Sequence, residues 1–144
     1  MAKAASNRFD GKTILITGAG SGMGRSHAEL FGERGGTVIV HDIKADGVSE
    51  TVANIQNAGG KAQAMIADIR DLPAFRTALQ EATDALGCVD ILINNAGVSG
   101  RRRTIEEIHE DEWDAFMAVH VRGAFFATQA VLPGMKANGW GRIV

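Results

Sequence analysis

Apolar residues in this chain fall into two alternating patterns. Short unbroken runs come at Lys12-Thr13-Ile14-Leu15-Ile16, Gly36-Thr37-Val38-Ile39-Val40-His41-Asp42, Ala62-Gln63-Ala64-Met65-Ile66-Ala67, Val89-Asp90-Ile91-Leu92-Ile93 and Gly141-Arg142-Ile143-Val144. Their β-branched content and lack of proline predict strands covered on both faces. Between them, apolar residues recur at helical spacing. Met23, Ala28, Leu30 and Phe31 share one side of a helix from Met23 to Arg34, and Val48, Val52 and Ile55 do so in Asp46 to Ala58, which stops at Gly59-Gly60. A third helix, Leu72 to Leu86, carries Pro73 in its first turn, where proline is tolerated. Thr104-Ile105-Glu106-Glu107 has the form of a capping box, and a long helix follows from about Asp111 to Asn138, with an interruption predicted at Pro133-Gly134.

The resulting order β-α-β-α-β-α-β-α-β, with right-handed crossovers, predicts an α/β fold with a parallel sheet in spatial order 3-2-1-4-5. Helices after strands one and two cover one face, and those after strands three and four cover the other. Ile91, Leu92 and Ile93 should therefore not all find cover, and the fifth strand should leave an unpaired edge. Trp113, Phe116, Met117, Phe125 and Phe126 add apolar surface on the long helix. Self-association through helix 111–138 and the exposed sheet face is the expected outcome.

Directly after the first strand comes Thr17-Gly18-Ala19-Gly20-Ser21-Gly22-Met23-Gly24, with Gly18, Gly22 and Gly24 spaced G-x-x-x-G-x-G. The first glycine allows a tight exit from the strand, the second lets backbone approach a pyrophosphate, and the third lets the helix pack closely. That helix aims unpaired N–H groups and its positive dipole end at the same spot. Rival loops fail on single residues. A P-loop would need Lys then Ser/Thr after its last glycine, where Arg25-Ser26 stands, and G-x-G-x-x-G would need glycine at Met23.

Eighteen positions after Gly24 the second strand ends in Asp42, where a carboxylate accepts hydrogen bonds from both hydroxyls of an adenosine ribose. A 2′-phosphate of about −1.5 to −2 charges would be repelled there, and roughly 1.4 kcal/mol of residual repulsion is already tenfold in affinity. NAD is therefore expected over NADP. Arg25 and Lys44 are the nearby positive charges that could oppose this preference, and a turn or N-cap role is the alternative for Asp42.

The fourth strand runs into Asn94-Asn95-Ala96-Gly97, and Asp68-Ile69 follows the third. With the glycine loop and Asp42 in the same order, the chain resembles the short-chain dehydrogenase/reductases from roughly Phe9 to Val144. The resemblance implies a Rossmann-like doubly wound domain over residues 9–144, after an N-terminal tail 1–8. It implies a dinucleotide coenzyme held by Gly18, Ser21, Gly22, Met23, Gly24, Asp42, Ile43, Asp68, Ile69, Asn95, Ala96 and Gly97, with Asp68-Ile69 against the adenine. The activity implied is hydride transfer between nicotinamide and an alcohol or carbonyl.

The family's catalytic Ser, Tyr and Lys would follow the strand that begins at Gly141. The chain holds no tyrosine, and its lysines stand only at 3, 12, 44, 61 and 136. Carbonyl reduction needs a proton donor of suitable reach, so no catalytic residue is assigned. A product truncated after the fifth strand begins, binding coenzyme without turnover, is one expectation; a non-catalytic NAD-binding or docking module is the other. Where relatives carry a supporting Asn on the long helix this chain has His120. His120 can donate and accept as that Asn does, although a satisfied core histidine is the plainer expectation.

Composition narrows the field. Hydrophobic residues at 45% and charged residues at 22% fit an ordinary globular chain, and a net charge of −2 gives no footing for nucleic acid. Arg101-Arg102-Arg103 reads as a solvated loop or a phosphate grip. Cys88, alone, reads as a buried strand-edge residue, and His27, His41, His109 and His120 have no ligand spacing, so no metal is expected. Neither a secretion signal nor a membrane-spanning run is expected, which makes cytoplasm the simplest address.

Overall fold

The computed structural model describes residues 8–99 and 104–144. Arg101-Arg102-Arg103 and tail residues 1–7 lie outside the described residues. Five parallel strands, β1 (Thr13–Thr17), β2 (Thr37–Asp42), β3 (Lys61–Ile66), β4 (Ile91–Ile93) and β5 (Arg142–Ile143), form one sheet in the order β3-β2-β1-β4-β5. The helices are α1 (Gly22–Glu33), α2 (Ala45–Asn57), α3 (Leu72–Leu86), α4 (Glu110–Met117) and α5 (Ala124–Ala137). The architecture is the Rossmann-like α/β arrangement that the alternation of patterns predicted.

Register explains the two cores. Ile14 lies opposite Val38 and Ile91, and Leu15 opposite Ile39 and Leu92. Side chains alternate across a strand, so Ile14, Ile16, Val38, Val40 and Ile91 enter one layer with Ala28 of α1 and with Val48 and Ile55 of α2. Leu15, Ile39 and Leu92 enter the opposite layer with Phe75 and Leu79 of α3 and with Ala127, Val131 and Met135 of α5. Continuous apolar runs are what a sheet buried on both faces requires.

Cover along β4 falls short at one residue, as its sequence suggested. Ile91 and Leu92 are both buried, because Ile91 lies beside Ile14 and Ile16, while Ile93 is half-buried. The greater shortage sits one strand further out, at the edge that was expected to be unpaired: β5 pairs only with β4, and Ile143 and Val144 are exposed.

The long helix departs from expectation. Pro133 does not interrupt α5. A proline removes one backbone donor, but Val131 and Met135 on either side are buried and hold the helix to the core. The irregularity falls earlier, at Ala118–Gly123, where one stretch of π-helix joins α4 to α5. Such bulges re-aim side chains, and this one contains His120. The capping box is present as expected, with the Thr104 N–H donating to Glu107 at 2.9 Å.

Two further corrections concern single features. Cys88 is exposed in the turn after α3, not buried at a strand edge. Glu110–Ala137 is long and apolar enough to cross a membrane by length and composition, contrary to the expectation of no such run. Its buried residues Val119, Ala127, Val131 and Met135 nevertheless belong to the layer beneath the sheet, as those of a core helix do.

Candidate functional site

The carboxyl ends of β1, β2 and β4 converge on the glycine loop. Gly18 leaves β1 at φ +68°, a conformation that disfavours any side chain. A Cβ there would also lie 2.8 Å from Ala96 Cα. Gly24 is required by proximity instead: a Cβ would collide with the Gly18 carbonyl and sit 2.5 Å from Asn95 Nδ2. The third glycine therefore fits the helix against its own loop rather than only against the sheet.

The loop is pinned from three sides. Asn95 Nδ2 donates to the carbonyls of Thr17 (3.0 Å) and Gly18 (3.1 Å). The Thr17 hydroxyl accepts from the N–H groups of Asn95 (3.1 Å) and Ala96 (3.0 Å). From β2, the His41 carbonyl accepts from Ala19 N–H at 2.8 Å, and Asp42 Oδ2 accepts from Gly20 N–H at 3.0 Å. The other Asp42 oxygen accepts from Lys44 N–H at 3.1 Å. Asp42 thus combines a turn-forming role with a carboxylate beside the loop. Its remaining acceptor capacity is available to hydroxyl donors.

Beyond the loop the first turn of α1 offers N–H groups that have no intrahelical acceptors. Ser21 precedes it without capping it through its side chain. Gly22 has φ +55°, and a Cβ there would meet nothing within 4 Å, so open space faces the helix terminus. A close-approach backbone, free amides and the positive end of a helix dipole suit a diphosphate. Met23 lies at the same terminus and is largely exposed.

A cleft of about 210 Å³ runs beside this loop, lined among others by Gly18, Asp42, Ile43, Asp68, Ile69 and Gly97. Seven of the twelve residues expected from sequence line it, Ala96 being the seventh; Ser21, Gly22, Met23 and Gly24 form the adjoining helix terminus, and Asn95 holds the loop between them. Arg70 hydrogen-bonds Asp68 at 2.6 Å and holds its carboxyl below the ordinary range. A larger groove of about 450 Å³ lies between α3 and α5, away from the glycine loop.

Two histidines border the cleft. His41 is buried, its Nε2 donating to the Ala67 carbonyl at 3.1 Å and its ring meeting Phe75 edge-on. Burial pushes its pKa down to about 4, against the opposing pull of Asp42. His120 is half-buried rather than a core residue. Its ring stacks on Phe116, and its Nε2 lies 3.0 Å from the Val98 nitrogen and 2.9 Å from the Val98 oxygen, on the loop that walls the cleft. Among the described residues no cluster of His, Cys, Asp and Glu could hold a metal.

Sequence reasoning passed over two contributors and gave a third, Arg25, only as a nearby charge. The Thr17 hydroxyl is buried where β1 ends, and Thr51 of α2 is fully buried with its hydroxyl 3.0 Å from the Ala19 carbonyl. Arg25 reaches back to the Gly20 carbonyl at 2.6 Å. A hydroxyl at the end of an apolar run was the only signal for Thr17; Thr51 acts across elements and left none, and for Arg25 the sequence showed the charge but not its grip on Gly20.

Residues 12–144 match the family model described as short chain dehydrogenase. The peroxisomal multifunctional enzyme type 2 of Mus musculus is 38% identical over 146 residues, covering 95% of this chain and 19% of that protein. A 7α-hydroxysteroid dehydrogenase complexed with NADH and 7-oxo glycochenodeoxycholic acid superposes with a TM-score of 0.88 at 38% identity, covering 94% of this chain and 52% of that one. A metagenomic short-chain oxidoreductase in complex with NADP gives 0.88 at 28% identity, covering 93% and 61%. The chain thus spans about a fifth of the mouse protein and between half and three-fifths of the two solved structures.

Proposed function

The chain belongs to the short-chain dehydrogenase family, and from that premise we propose that it is the coenzyme-binding part of an oxidoreductase, selective for NAD(H) over NADP(H). The observation that carries this reading is the junction of the glycine loop with Asp42, whose carboxylate stands over Gly20 at 3.0 Å. The amides of the first turn of α1 would take the diphosphate. Asp42 would fasten the adenosine ribose, Asp68 and Ile69 would flank the adenine, and Ala96 and Gly97 would wall the cleft. The bound coenzyme supplies or accepts hydride; this chain's residues bind it, orient it and repel a 2′-phosphate.

Turnover needs a proton donor at the substrate oxygen. No tyrosine occurs in the 144 residues, and His120 is engaged with Val98. Coenzyme binding without hydride transfer is the activity we assign to the chain itself. Calorimetric titration with NADH and NADPH tests this, with a preference for NADH of about tenfold or more expected. Absence of heat with both at millimolar concentration overturns the reading, and a preference for NADPH overturns the part given to Asp42.

A second reading, subunit docking, draws on the exposed stripe Trp113, Phe116, Val121 and Phe125 along α4 and α5. Sedimentation of the chain with and without Trp113→Ser and Phe125→Ser separates the two. A docking surface predicts loss of self-association in the variants, and an unchanged distribution removes it.

A further inference from the structure

Behind the glycine loop, on the α2 side, lies a charge pair that the coenzyme site as described does not use. Arg25 Nη2 donates to the Gly20 carbonyl at 2.6 Å and to Glu50 Oε2 at 2.8 Å; Nη1 meets Glu50 Oε1 at 2.7 Å, and Nε donates to the Thr51 hydroxyl at 3.0 Å. The guanidinium is held as a fork between one carboxylate and the loop. Glycine at position 47 permits this closeness, since a Cβ there would lie 2.6 Å from the Gly20 carbonyl oxygen.

Gly20 is therefore gripped at both ends, its N–H by Asp42 and its carbonyl by Arg25. Any group fastened by Asp42 lies within the field of that guanidinium. A bare arginine in this place would favour a 2′-phosphate and oppose Asp42. Glu50 supplies the compensating negative charge. We propose that Glu50, acting through Arg25, is a second determinant of coenzyme choice: it neutralises the guanidinium tethered to the glycine loop and so preserves the selection for NAD(H) that Asp42 begins. Arg25 is the positioning residue of the pair, and Glu50 sets the charge. The proposal rests on the reading that Asp42 faces the adenosine ribose.

The test is fluorescence titration of the full chain with NADH and NADPH, in wild type, Glu50→Gln, Arg25→Met, the double variant Arg25→Met/Glu50→Gln, and Asp42→Ala, each checked for native circular dichroism. Glu50→Gln keeps a hydrogen-bonding side chain beside Arg25. It should tighten NADPH by about threefold to tenfold while leaving NADH within about twofold, and the gain should shrink as salt rises from low to physiological strength. The double variant should lose the gain, which a merely structural role of Glu50 would not require. An unchanged NADPH-to-NADH ratio in Glu50→Gln, alongside a shifted ratio in Asp42→Ala, overturns this inference and leaves the role of Asp42 standing. A ratio unchanged in both variants overturns the role of Asp42 and this inference with it, as does failure of every variant to bind either coenzyme.

Discussion

The two halves of the sheet are built to different standards. Every residue of β1 is buried and β2 is buried through its middle, whereas both residues of β5 are exposed. β1 and β2 each have a strand on both sides and helices on both faces. The second half ends in a two-residue strand that hydrogen-bonds on one side only. Burial, not β-propensity, separates Ile16 from Ile143. The proposed coenzyme site lies mainly at the well-covered end, where a loop can be held to fractions of an ångström by packed neighbours.

The sharpest way to break this comparison is a matched pair of truncations. Ile16→Ala in β1 should cost about 4 kcal/mol of unfolding free energy, and Ile143→Ala in β5 should stay within about 0.5 kcal/mol, both read by urea denaturation. Similar losses would mean that the two halves are equally packed. Gly24→Ala comes next, because its methyl group must enter the Gly18 carbonyl and Asn95 amide. About 3 kcal/mol of destabilisation is expected by overpacking, together with loss of NADH binding, and calorimetry of a variant that still binds would contradict the loop geometry.

Acid should find the first half through His41. In the unfolded chain the ring takes up a proton near pH 6.5, whereas in the folded protein it resists down to about pH 4. Its contribution is therefore fully present above pH 6.5 and is lost as the pH falls through that window, by up to about 3 kcal/mol. Urea midpoints at pH 7, 6 and 5 should fall less steeply in His41→Leu than in wild type; parallel slopes would rule out this origin.

A smaller effect joins the halves. Asp90 Oδ2 accepts from Thr13 N–H at 2.9 Å, and its carbonyl accepts from Arg142 N–H at 3.0 Å, so one residue ties β1 to β5. Asp90→Ala removes only the side-chain bond and the pairing with Lys12, and about 1.5 kcal/mol should be lost. No change in thermal midpoint would show that backbone pairing alone holds this edge.

Much of the architecture was legible because each signal was local. Unbroken apolar runs gave the strands, periodic stretches gave the helices, and the handedness of crossovers gave the strand order. Gly18 and Asp42 were readable because a tight turn and a strand-end carboxylate have fixed sequence spacing. Cys88 and Pro133 misled for the same reason: a small apolar residue near a strand suggests burial and a proline suggests a break, yet exposure and helix continuation are decided by neighbours distant in sequence.

What the amino-acid order determined alone was the set of elements, their sequence along the sheet and the residue types at the dinucleotide loop, since backbone sterics and side-chain periodicity act over a few positions. Only the tertiary structure decided that Asn95 and Thr17 clamp the loop, that Arg25 and Glu50 meet behind Gly20, and that the long helix bulges at His120 instead of breaking at Pro133. Those outcomes depend on distances between chain segments folded together from afar, which no local pattern encodes.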